Sequence, residues 1–218
     1  MRIGRLGRVS LILAGLAALT ACDPSAMGAG LAGGSPTRAR FDVGGAGVTI
    51  AAPPGWCLDP STVRKSADGA FVLLTDCGLL GKPGATVGRK GAALTASISA
   101  GSLLEAEGDA DTLADFQDFA GSREGRAVLG RSGEAARVRI LATRESGGVY
   151  YVLVEDRGRL PIAGLDRQFW RAFFDVNGHT VALSSLGFTG ESDAQAELNE
   201  LATFARWIQA ANGAKAGA

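Results

Sequence analysis

Histidine and cysteine are nearly absent from this chain. Its 218 residues hold one histidine, His179, and three cysteines, Cys22, Cys57 and Cys77. One histidine excludes a His-rich metal site and leaves a single candidate general base for a Ser or Cys nucleophile. No G-x-S-x-G elbow, H-E-x-x-H pair or phosphate-binding G-x-x-x-x-G-K-[ST] loop occurs. Net charge is lacking too, with 22 basic side chains against 22 acidic ones. A balanced chain gives no electrostatic case for nucleic acid, which calls for clustered Lys and Arg, and none for polybasic docking to a membrane. No apolar run reaches the length of about 20 residues that a membrane-crossing helix needs. No cofactor is expected. Gly28-x-Gly30-x-x-Gly33 has dinucleotide-loop spacing, but no strand pattern precedes it and no helix pattern follows.

What the first residues do contain is an ordered set. Arg2, Arg5 and Arg8 precede a short apolar run over residues 9–19, which closes in Leu19-Thr20-Ala21-Cys22. A basic start and a short apolar run make a secretory signal. The closing tetrad resembles the lipobox of bacterial lipoproteins. That resemblance implies a diacylglycerol on Cys22, removal of residues 1–21, and a chain held on the periplasmic side of the inner or outer membrane of a bacterial envelope. At roughly 0.8 kcal/mol per buried methylene, two acyl chains hold firmly where one holds marginally. Removing the signal takes three arginines and no acid, leaving 19 basic against 22 acidic side chains.

Residues 22–39 are mostly Gly, Ala, Ser and Pro without apolar periodicity, so they read as a flexible tether. Residues 40–212 are long enough for one domain that buries roughly 70% of its unfolded surface; the chain reads as small and frayed from Asn212, with residues 213–218 a disordered tail. The domain opens with Phe41 and Val43 alternating toward Val48 and Ile50 across a glycine-rich tip, a hairpin pattern. Pro53-Pro54-Gly55 stops the second strand, and Asp59-Pro60-Ser61-Thr62 looks like a cap with one helical turn. Residues 70–74 and 149–154 are apolar on both faces and predict central strands. Leu94, Ala96 and Ile98 alternate with Thr95, Ser97 and Ser99, which predicts a half-buried strand. Asp111 is placed to cap a helix whose Leu113, Phe116 and Ala120 share a face.

Asn177-Gly178 is the preferred pair for a two-residue type I′ hairpin. That turn sets a register in which Val176 faces His179, Phe174 faces Val181 and Ala172 faces Leu183. Arg171, Phe173 and Asp175 then fall on the wetter side. Ser192-Asp193-Ala194-Gln195 has the form of a capping box, and Leu198, Leu201, Ala205 and Ile208 follow as a helical stripe. The fold class is therefore α+β: an antiparallel sheet with helices packed on it, the last at the C-terminus. The Pro54-Gly55-Trp56 turn after a short strand pair, and the closing hairpin and helix, resemble the PsbP-like fold over residues 40–212. That family acts mostly by binding partners, so the resemblance implies a non-catalytic role.

With Cys22 lipidated, an exported pair remains, Cys57 and Cys77, which reads as a disulfide. A redox or metal-binding pair is the alternative, without C-x-x-C spacing or a neighbouring histidine to favour it. His179 beside the turn reads as a partly buried structural residue. Glu105, Glu107, Asp109 and Asp111 are dense in oxygen ligands, but the glycine and distal glutamate of an EF-hand loop are missing, so no metal site is assigned. Arginines follow at 123, 126, 131, 137, 139 and 144. Arg137 and Arg139 on a wet strand face, with Phe173 if exposed, make the candidate binding surface. The function expected is a lipid-anchored interaction module for an envelope protein or cell-wall component. The alternatives are a small-ligand binder with a pocket between sheet and helix, or a hydrolase built on carboxylates. Two or more carboxylates in one pocket favour the last.

Overall fold

Period-two alternation dominates the chain, and strands follow it. The computed structural model describes residues 36–80, 92–102, 112–160, 162–190 and 193–213. Residues 33–218 make one unit. Cys22 and its lipobox lie outside the described residues, as do Glu105, Glu107, Asp109 and Asp111. Strands β1 (Arg38–Val43) and β2 (Ala46–Ala51) form the first hairpin, with Phe41 opposite Val48. β1 starts inside the expected tether. Backbone bonds reach earlier still, since Ala52 N–H donates to Thr37 O and Leu58 N–H to Pro36 O, each at 2.8 Å.

After the Pro-Pro-Gly stop comes β3 (Trp56–Leu58), then a 3₁₀ turn over Pro60–Thr62, capped by Asp59 accepting from Ser61 N–H. Next are β4 (Arg64–Ser66), β5 (Gly69–Asp76) and β6 (Ala92–Ser99). Helices α1 (Thr112–Gly121) and α2 (Arg123–Leu129) precede β7 (Val138–Ser146), β8 (Val149–Asp156), β9 (Gln168–Val176) and β10 (His179–Gly187). The last element is α3 (Ala194–Ala211). β4 and α2 have no counterpart in the sequence reading. β4 is three exposed residues with no apolar alternation to announce it. α2 is two turns long and begins at Ser122, whose hydroxyl caps it by accepting from Gly125 N–H.

Eight strands make one antiparallel sheet in the order β3-β5-β6-β10-β9-β8-β7, with β4 also on β5. The class is α+β, as the sequence implies. The β9–β10 register matches the one read from Asn177-Gly178: His179 pairs with Val176, Val181 with Phe174 and Leu183 with Ala172. One face of the sheet carries α3 and the β1–β2 hairpin, and the main core lies between them. Leu198, Leu201, Phe204, Ala205 and Ile208 of α3 pack there with Trp56, Trp170, Ala172, Phe174, Leu183 and Ile50. The other face carries α1 and α2 at the β7–β9 end. Phe116, Ala120 and Leu129 cover Val138, Val152, Val154 and Phe169. β8 is buried on both sides for this reason, while Phe71 and Leu73 of β5 are half-buried on one side.

Two termini of α3 differ from expectation. The cap is Asp193, whose carboxylate accepts from Ala196 N–H at 2.7 Å, one residue later than the Ser192 box implies. Asn212 is no frayed end. Its amide pairs with β2 as a strand residue would, accepting from Thr49 N–H and donating to Thr49 O, both at 2.8 Å. Trp56 Nε1 donates to Glu200, a second tie between α3 and the sheet.

Cys57 and Cys77 form the disulfide. It joins the edge strand β3 to the residue after β5, with Cys57 wholly buried. A bridge closing a loop of this length contributes about 3 kcal/mol in the chain-entropy model. Replacing both cysteines by alanine is expected to lower unfolding stability by about that amount in urea titrations, and an unchanged midpoint would show that the β3–β5 ladder holds without it.

Candidate functional site

The backbone ladder between β9 and β10 stops at Arg171 and Ser184. Beyond it, side chains replace backbone partners. Ser185 Oγ meets Trp170 N–H at 3.2 Å. The Arg131 guanidinium donates to Ser185 O and to Asp166 O, the latter at 3.0 Å, and lies 3.6 Å over the Phe169 ring. From the opposite face, Glu197 of α3 accepts from Ser185 Oγ at 2.6 Å. Burial pushes the Arg131 pKa down to about 10, against the pull of Glu197. Burial pushes the Glu197 carboxyl up, against the hydrogen bond from Ser185 and the charge of Arg131. Glu197 Oε1 is buried and, by geometry, has no hydrogen-bond partner among the described residues.

Arg131 is placed by Asp156, at the end of β8 and without solvent exposure. The Asp156 carboxylate accepts from Arg131 N–H, Ser132 N–H, Ser132 Oγ and Gly158 N–H, all at 2.7–2.8 Å. Burial acts to raise its pKa; the four donors outweigh that and hold it below the ordinary carboxylate value. Only glycine fits around it: a Cβ at Gly130 would lie 2.4 Å from Val138 Cγ2, and one at Gly158 would lie 2.3 Å from Ser132 Oγ. Beside this cluster Glu155, Asp166 and Glu197 line a cavity of about 340 Å³ with Arg167 and Gln168. Glu155 is already engaged there by Arg157 at 3.0 Å and Arg139 at 3.5 Å.

A second recess lies between α3 and the β7–β8 hairpin, about 360 Å³ in volume. Arg144 and Tyr151 are directly opposite in the β7–β8 ladder, so both face it. Arg206 enters from α3, with Gln209 and Asn199 on the same wall and Val149, Leu198 and Ala202 as the apolar lining. The Tyr151 ring is buried, and burial raises its pKa although Arg206 and Arg144 both act to lower it. Gln209 is held by donating to Gly147 O.

The structure sets Phe173 apart from the two arginines of the expected binding surface. Arg137 sits in a 3₁₀ turn before β7 and pairs with Glu134 at 3.2 Å; Arg139 lies on β7 and pairs with Glu155. Both are exposed. Phe173 is half-buried beneath α1, its ring 5.7 Å from that of Phe116. It belongs to the second core because α1 covers the side of β9 that alternation alone leaves wet. Arg126, from the same basic stretch, binds the Gly121 and Ala135 carbonyls, and Arg131 binds the sheet. His179 is buried with Nδ1 donating to Ser99 O at 2.9 Å, which fits a structural residue. Tyr151, Arg206, Asp156 and Glu197 went unnoticed in the sequence. Their spacing carries no motif, and only Glu197, an acid facing along with the apolar stripe of α3, breaks a pattern.

Among the described residues no group of three His, Cys, Asp or Glu is placed to hold a metal, and no helix is long and apolar enough to cross a membrane. No family model, curated protein or solved structure matches the chain. None of these comparisons supports the expected likeness to the PsbP-like fold.

The two buried carboxylates give opposite pH slopes. Asp156, held low, contributes stability above about pH 3.8 that is lost as pH falls through its folded value. Glu197, held high, favours the folded state below about pH 4.5, and that contribution is lost as pH rises through its folded value. Glu197→Gln is expected to flatten the decline above pH 4.5. Asp156→Ala, which strands three buried N–H donors, is expected to cost about 3 kcal/mol at neutral pH. Urea midpoints across pH 3–8 read both, and parallel wild-type and Glu197→Gln profiles would remove the assigned role of Glu197.

Proposed function

We propose that this chain is a lipid-anchored protein of the bacterial envelope, tethered through Cys22 and acting as a non-catalytic interaction module for an envelope protein or cell-wall component. The observation that carries the binding role is the outer edge of β7. Among the described residues no strand pairs with that edge. Its nine residues are mostly exposed and carry Arg139 and Arg144, with Arg137 just before them. A β-bulge at Leu141, itself exposed, interrupts the edge, a device that discourages self-pairing of sheets while leaving the strand open to a shaped partner. A partner strand of acidic character fits such an edge, with backbone bonds supplying affinity and charge supplying register.

Fractionation and crosslinking test the two halves of this reading. Wild type is expected in the membrane fraction and Cys22→Ser in the soluble one. Photo-crosslinkers on β7 are expected to capture one dominant envelope component, with yield falling when Arg139 is changed to Glu. A soluble wild type would end the anchor; yields indifferent to Arg139 would end the docking edge.

One observation favours a second reading, a carboxylate-dependent hydrolase: Glu155, Asp166 and Glu197 gather around one cavity. It requires turnover of a chromogenic ester or glycoside panel that disappears in Glu197→Gln, and a panel left unhydrolysed by wild type removes it.

A further inference from the structure

The recess between α3 and the β7–β8 hairpin has a use that edge docking leaves out. Two guanidiniums, Arg144 and Arg206, face it from opposite walls, and neither forms an ion pair among the described residues. Arg206 has only the neutral Thr203 hydroxyl, at 3.0 Å. Arg38, Arg123 and Arg159 are likewise without an ion pair among the described residues, but none of them lines this recess. Arg40, Arg137, Arg139 and Arg157 have carboxylates, and Arg126, Arg131, Arg167 and Arg171 have carbonyls. The floor between the two carries Tyr151, a residue only 4% exposed, whose hydroxyl makes no hydrogen bond within the described residues and is left to face the recess. A phenol is amphipathic, and when its ring is buried its hydroxyl ordinarily finds a partner.

We infer that this recess is a binding site for a small organic carboxylate, with Arg144 and Arg206 clamping the carboxylate, Tyr151 donating to it, and Val149, Leu198 and Ala202 holding its apolar body. Charge selects the class. Glu145 stands near enough to act on Tyr151, so the local balance is two guanidiniums against one carboxylate, which suits a monoanion better than a phosphate dianion. The arginine fork matches a planar carboxylate in two parallel bonds. The recess, about 360 Å³, is at the small end of the size range for ligand pockets. Its walls are set in place by the fold: Arg144 and Tyr151 by the β7–β8 ladder, and α3 by its buried stripe and by Gln209 on Gly147. The site stands whether or not the outer edge of β7 docks a partner.

The test uses the full chain in maltoside micelles, with benzoate, acetate and inorganic phosphate as probes. Binding is read from side-chain resonances of Arg, Gln and Tyr by NMR. Benzoate is expected to shift the signals of Arg144, Arg206 and Gln209 saturably and to bind more tightly than acetate, because the apolar lining adds to its affinity. Arg144→Gln and Arg206→Gln are each expected to weaken benzoate by roughly tenfold, and Tyr151→Phe by less. Both arginines are exposed, so these variants keep the fold, and unchanged backbone spectra check it. Phosphate binding as tightly as benzoate would reduce the site to a patch of charge and overturn the carboxylate assignment. So would the absence of saturable shifts with benzoate, or affinities indifferent to both arginines.

Discussion

Asn177 and Gly178 both hold positive φ, at 53° and 77°, and the arrangement of the sheet hangs on that turn. A two-residue hairpin of this kind allows one register, and a strand that slips by one residue turns every side chain to the other face. With the register set, Trp170, Ala172, Phe174, Val181 and Leu183 form the floor on which α3 lies, and Phe169 and Phe173 form the floor beneath α2 and α1. The sheet is therefore apolar on two sides at its β8–β9 end. Burying both sides takes helices on both faces, and the chain supplies α1 and α2 from its middle and α3 from its C-terminal part.

Where the β9–β10 ladder ends, polar groups take over the backbone's role. Arg131 from one face and Glu197 from the other meet at Ser185, while Asp156 fastens the loop that delivers Arg131. These groups are charged and buried, so each is satisfied by its neighbours or shifts its proton affinity. Asp156 has four donors and stays ionised easily; Glu197 has one strong donor and holds its proton more tightly. For Asp156 the donors outweigh the effect of burial, and for Glu197 burial outweighs the Ser185 hydrogen bond and the charge of Arg131.

The β7–β8 hairpin stands apart from this cluster in character. It lies at the sheet margin, with an open edge on one side and α3 across a recess on the other. Arg144 there, and Arg206 across the recess, form no ion pair among the described residues, whereas Arg139 is paired with Glu155 and the arginines deeper in the fold spend their donors on carbonyls. Exposed and unpaired guanidiniums beside an apolar lining are the ingredients of a binding margin.

Local chemistry was sufficient for much of this protein. The glycine tip of β1–β2, the Asp59 turn, the Asn177-Gly178 register and the stripe of α3 all follow from periodicity and turn residues, because each depends on neighbours a few positions away. The even cysteine pair likewise marked Cys57 and Cys77. Tertiary structure decided the rest. Phe173 reads as wet from alternation and is covered because α1 crosses that face. Asn212 reads as the start of a tail and is held because β2 offers it an N–H and a carbonyl. Arg144, Tyr151 and Arg206 share no spacing along the chain. They meet only because β8 presents Tyr151 opposite Arg144 and because α3, laid down by its apolar stripe, brings Arg206 across from them.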